Sequence, residues 1–249
     1  MSRRLRPSGF GGPRPDPSGV GGPSSEIALL RLLQLFDSQF PVGAFAHSGG
    51  VETYAALGGG LPELREILRA QIELGWGRSE LAAAHLAWGA TDQRRPTESC
   101  GGDAAALDSL SRQLDALKVV PAVRSSSLKL GRRALDLLRR LYPEACLDIS
   151  PSHHAVVVGA AGRRLGLDAR SLLVAYAHNL AMGTLASAIR CMPVSPAQAQ
   201  ELLIESHGPL ARAVEDALAN PQGSLFTCTP ALDIRSHQQA FLHTRLFQS

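Results

Sequence analysis

Lysine is nearly absent from this 249-residue chain, where Lys118 and Lys129 stand alone among 25 cationic side chains and the rest are arginine. Neither lysine follows a G-x-x-x-x-G cradle, so the chain carries no P-loop and is not expected to hydrolyse GTP by itself. Aromatic residues make up only 5%. With Ala, Leu and Gly dominant, that scarcity favours close-packed helices over a β-sandwich, which would draw on more Val, Ile, Thr and Tyr. The four cysteines, Cys100, Cys146, Cys191 and Cys228, form no C-x-x-C. Neither a zinc knuckle nor a disulfide framework is implied, and a cytoplasmic location fits best.

Strong charge is lacking too. The formal net charge is +3, and the arginine pairs 132–133, 139–140 and 163–164 are isolated among Asp and Glu rather than gathered into a stripe. They read as solvated helix faces, which leaves a basic helical nucleic-acid-binding regulator as an alternative only. Eight histidines are present, yet no H-x-x-x-H pair and no dense Cys/His cluster occurs, so no metal site is expected. His178, in an apolar stretch, reads as a hydrogen-bonded core histidine. No apolar h-region lies within residues 1–25, so no signal peptide is expected.

What remains is helical periodicity cut by Gly and Pro. Residues 1–25 are rich in Gly, Pro, Ser and Arg and bury too little to offset ordering, so they read as a flexible tail. Residues 26–220 read as one all-α domain, a bundle of about ten helices, and residues 221–249 as a loop and C-terminal tail. Ser24 or Ser25 caps a first helix through Phe36. A short helix ends at Gly58-Gly59-Gly60, and Pro62 opens another that bends at Gly75-Trp76-Gly77. Helices follow near 103–119 and 124–141, with a loop at 94–102. Ala155-Val156-Val157-Val158 has the composition of a strand but is read as helix. The apolar run from Leu167-Asp168 to Cys191 is the expected central helix. Pro193 and Pro196 break the pattern, and two further helices are expected at 196–206 and 208–219. The apolar residues from Leu232 to Phe247 are either folded back on the core or presented to a partner, because undocked termini fray.

Polar chemistry concentrates between Asp37 and Glu52. Pro41 fixes φ and Gly43 permits a turn, while Ser48 is placed to cap a helix starting at about Gly49. Asp37, His47 and Ser48 would supply the residue types of a small serine hydrolase. A G-x-S-x-G elbow would need Gly at Ala46, and adjacent His and Ser rarely face each other, so capping and packing explain them better.

The run Leu-x-x-Asp-Ser-x-x-Pro-Val-Gly-Ala-Phe-x-His-Ser-x-Gly-Val-Glu, ending at Glu52, resembles the N-terminal signature of the urease accessory protein F family. Further segments resemble the same family in order: Arg124 to Gly131, His153-His154 to Gly159, Ile189-Arg190 to Gln200, Pro230 to Ser236, and Arg245 to Ser249. Ser195-Pro196 and Gln239-Ala240 depart from the family's usual Gly-Gln and His-Glu. The resemblance implies a non-catalytic, all-α scaffold that forms dimers and binds no cofactor of its own. Its implied partners are the D/H-type accessory protein, the G-type GTPase, which binds the GTP, and apo-urease, into which the complex inserts nickel. Partner contacts would involve His47, Glu52, Arg124, Arg190, Gln200, Asp233, Arg245, Leu246 and Phe247. Pro41, Gly43, Ser48, Gly49, Gly50, Gly131 and Gly159 would be structural, and neither catalytic nor metal-binding residues are expected.

Overall fold

Local signals set most helix boundaries in the structure, a computed structural model that describes residues 24–43, 47–92 and 101–248, and only the backbone of 101–103. The segment 1–23 and the residues 44–46 and 93–100 lie outside these, so the expected flexible tail and most of the 94–102 loop do too. Helix α1 (Ser25–Leu35) is capped by Ser24, whose hydroxyl accepts from Ile27 N at 3.5 Å. Helix α2 (Val51–Ala56) stops before Gly58, which takes φ +84° as a helix-ending glycine does. Helix α3 (Leu61–Leu74) carries Pro62 in its first turn, and at Gly75 the chain breaks rather than bends, so α4 (Trp76–Ala90) is a separate helix.

Helices α5 (Gly101–Leu117) and α6 (Pro121–Leu141) follow. The latter starts three residues before the expected 124, because Pro121 is preorganised for a first helical position and loses no needed N–H there. The Val run is helical in α7 (His154–Arg164). Asp168 caps α8 (Ala169–Cys191) by accepting from Ser171 N at 2.8 Å.

One expectation fails at Pro209. The segment 196–219 is a single helix, α9 (Pro196–Ala219), with that proline inside it. Leu202, Ser206, Leu210, Ala213, Val214 and Ala217 are buried in unbroken helical phase across Pro209. Continuous burial therefore outweighs a local cost of about 3 kcal/mol. The loop expected at 221–230 likewise contains a short helix, α10 (Pro221–Ser224), before α11 (Pro230–Gln238). Among the described residues there is no strand, so the protein is an all-α bundle.

Two helices share the centre. Helix α8 meets α1, α2, α3, α4, α7 and α9, while α4 packs on α7 along the most extensive helix pair. Helix α8 is long and apolar enough to cross a membrane by length and composition, yet Leu172, Leu173, Tyr176 and Leu185 are buried among its neighbours. His178 is exposed on this helix, contrary to its reading as a core histidine, because it falls on the face turned away from that buried stripe. Two glycines permit the closest approaches. A Cβ at Gly159 would lie 2.1 Å from Ala84 O, and one at Gly131 would lie 1.9 Å from Ser152 O. Any side chain there would push α7 off α4, or α6 off the segment leading into α7.

Candidate functional site

The chain folds its C-terminal tail back onto the signature loop, and one carboxylate holds the two together. Glu52, in the first turn of α2, is only 6% exposed. Gln239 Nε2 donates to its Oε2 at 2.8 Å, Phe247 N donates to the same oxygen at 3.3 Å, and Leu246 N donates to Oε1. Hydrogen bonds to a charged acceptor contribute about 1.5–3 kcal/mol each, and the shared carboxylate makes the three interdependent. Phe247 is consequently buried at 4%, with the Arg190 guanidinium carbon 4.6 Å from its ring centroid. The Cys191 thiol nearby is pushed up to about 11, by burial first and by the Glu52 charge second, so it stays a thiol.

Ser48 does not cap a helix. Gly50 is the N-cap of α2 and no side chain caps it; the Ser48 hydroxyl instead donates to Gln239 Oε1 at 3.0 Å. A primary amide is both acceptor and donor, so Gln239 bridges Ser48 to Glu52, which gives this departure from the family pattern a definite task. Gly43, Gly49 and Gly50 all take positive φ. At Gly50 a Cβ would also meet Ser236 Oγ at 2.7 Å, so the glycine brings α2 against α11. Pro41 lies exposed in a turn, with Val42 buried behind it.

The hydrolase constellation is not assembled. His47 Nδ1 lies 3.0 Å from Ser126 Oγ, Ser48 is committed to Gln239, and Asp37 accepts from Gln39 N at 2.6 Å on the surface. Burial first, then the charges of Lys129 and Arg133, hold His47 below the usual histidine range.

Beside this loop opens a cleft of about 260 Å³ between α3, α4, α6, α8 and α11. Its floor carries a polar network that sequence reading missed. Glu80 of α4 pairs with Lys118, which follows α5, and the Tyr176 hydroxyl donates to Glu80 Oε2 at 3.3 Å while lying 3.3 Å from His154 Nδ1. Burial alone would raise the Glu80 carboxyl, but the charge and hydrogen bond of Lys118 prevail and hold it below its ordinary value. Burial lowers His154 to about 4 and pushes the Tyr176 phenol well up. His153 Nε2 meets Asp115 Oδ1 and its Nδ1 meets Ser127 Oγ, each at 3.0 Å. Burial first, then Lys118, lowers His153 despite the acid beside it.

The other sequence candidates are scattered. Arg124 Nη1 donates to Asp115 O at 3.3 Å, exposed Gln200 reaches Met182 Sδ at 4.0 Å, and Arg245 is exposed beside the buried Phe247. Asp233 lines the cleft from α11. Perturbed titratable groups in a cleft often mark catalysis, but here each partner of Glu80 also stabilises the fold.

These features define an all-α protein whose buried polar groups are largely consumed in packing. Similarity supplies the particular case. A UreF family model matches residues 62–207. A protein from Actinobacillus pleuropneumoniae serotype 3 named urease accessory protein UreF is 31% identical over 229 residues, 88% of this chain and 97% of the relative. A Haemophilus influenzae protein of the same name is 30% identical over 88% of this chain and 94% of its own length. One from Nostoc sp. is 27% identical over 88% and 95%. The chain belongs to the UreF family: it is a urease accessory protein, not an enzyme.

Proposed function

We propose that this chain is a cytoplasmic, dimer-forming scaffold that assembles with the D/H-type accessory protein and the G-type GTPase on apo-urease. It prefers one nucleotide state of the GTPase, and so couples GTP hydrolysis by that partner to release of nickel, the cargo, into the urease active site. A scaffold acts only through such differential affinity.

The observation that carries this reading is the Glu52 clasp, which fuses two segments 194 residues apart into one surface. Around the buried Phe247 it leaves Ile234, Phe241 and Leu246 at 57%, 78% and 65% exposed. An apolar group of that kind, held on an ordered tail and fringed by Arg190, Arg235 and Arg245, has the composition of an interface centre. His47 and Asp233 border it through the cleft, whereas Arg124 and Gln200 extend the contact elsewhere.

Co-expression with the urease structural and accessory genes tests the reading. The unaltered chain co-purifies with the D/H-type protein, and Phe241→Ser with Leu246→Ser loses it while urease nickel content falls to background. Unchanged co-purification by that variant would overturn the docking surface, and failure of the unaltered chain to co-purify would overturn the scaffold. Point changes are cleaner than removing residues 232–249, which would strip Glu52 of its partners and take the buried Leu232 out of the core.

A further inference from the structure

The cleft holds two carboxylates that the fold treats differently. Glu80 is neutralised by Lys118, whereas Asp233 has no cation or donor for its side chain among the described residues. Partial burial raises the Asp233 carboxyl above its ordinary range although it sits in the first turn of α11. With the lining histidines His47 and His154 both held low, one lysine and two carboxylates leave the cleft with a single uncompensated negative charge. A half-desolvated carboxylate facing an open cleft is a site that a cation completes.

The surroundings narrow the cation. Among the described residues no group of three metal donors occurs, so a bare divalent ion lacks a coordination set. Thr227 and Thr229 line the same wall and offer hydroxyl acceptors, while Val119 and Val123 supply apolar surface at the cleft. Arginine matches both: its methylene stem covers apolar surface and its planar fork carries five donors for a carboxylate and flanking hydroxyls. Elsewhere in the lining, at the start of α4, lies a buried indole donor without an acceptor, Trp76 Nε1. A peptide segment, unlike a free amine, brings a carbonyl that could satisfy it once the ring turns outward.

We infer that the α11 wall of this cleft receives an arginine side chain from a partner protein, with Asp233 as its counter-ion. The choice of a protein as the source rests on the scaffold reading above; the guanidinium preference rests on the cleft alone.

Two measurements on the full chain test it. In the first, agmatine, a guanidinium without a carboxylate, is titrated at millimolar concentration while the backbone amides of 229–236 are followed by NMR. These shift in the unaltered chain and not in Asp233→Asn; no shift, or an equal shift in both, overturns the site. In the second, affinity for the co-expressed D/H-type protein is measured by calorimetry. Asp233→Asn weakens it by about tenfold or more and Asp233→Glu retains most of it, while the melting temperature of the free Asp233→Asn chain is unchanged or higher. Unchanged affinity in Asp233→Asn, despite a lost agmatine response, overturns the partner arginine and leaves a free guanidine as the occupant. Absence of any complex with the unaltered chain counts against the scaffold, and the agmatine result then decides the site by itself.

Discussion

Glu52 and Glu80 are both buried carboxylates, and they are satisfied by opposite means. Glu80 meets a formal cation, Lys118, just past the end of α5, and a phenol on α8. No cation pairs with Glu52 among the described residues; two backbone amides and one side-chain amide, all from the C-terminal tail, surround it. The first arrangement is lost only by opening the core. The second is lost by lifting a tail of a few residues. The two acids thus separate what holds the bundle together from what builds the surface proposed for docking.

The largest effect expected is at the core pair. Lys118→Ala leaves Glu80 buried without its cation and should cost about 3–5 kcal/mol in urea unfolding; a loss below 1 kcal/mol would make the two acids equivalent and break the comparison. Acid comes next. His154 sits at about 4 in the folded chain against 6.5 unfolded, so the unfolded chain binds the extra proton as pH falls from about 6.5 to 4. Stability falls over that window by about 3 kcal/mol and is flat with respect to this group above it. His47 and His153 are lowered too and act in the same direction. His154→Gln should flatten the acid limb of stability against pH.

A smaller loss, about 2 kcal/mol, is expected for Glu52→Gln, since one oxygen that accepts is exchanged for a group that donates. Its distinctive sign is local: amide exchange at 246 and 247 and tryptic cleavage after Arg245 should accelerate while the rest of the helical signal is kept. Global unfolding instead would show that the tail belongs to the core. Leu246→Ser should change stability by less than about 0.5 kcal/mol, because the side chain is exposed, and should affect only complex assembly.

Sequence reading succeeded where the cause is local. Ser24 as a cap, Pro62 in a first helical turn and Gly58 as a stop each act within one turn, and the all-α class followed from composition and periodicity. It failed where distant residues decide. Nothing near Ser48 announces Gln239, and nothing near Glu80 announces Lys118 or Tyr176, so the clasp and the cleft floor were invisible as units. The segment 196–219 reads as two helices until the buried face running through Pro209 is seen, and His178 reads as core until the direction of the buried face of α8 is known. A lone acid in an apolar, Ala-rich helix, as Glu80 is, was a usable signal of a buried partner.

The distance along the chain between Glu52 and its amide partners also has a consequence during synthesis. At about 5–20 residues per second, the amides of 246 and 247 leave the ribosome roughly 10–40 s after Glu52. Over that interval the nascent bundle can collapse around Glu80 but cannot close the clasp. A surface shared by Glu52 and the end of the tail therefore exists only on a molecule translated through residue 247.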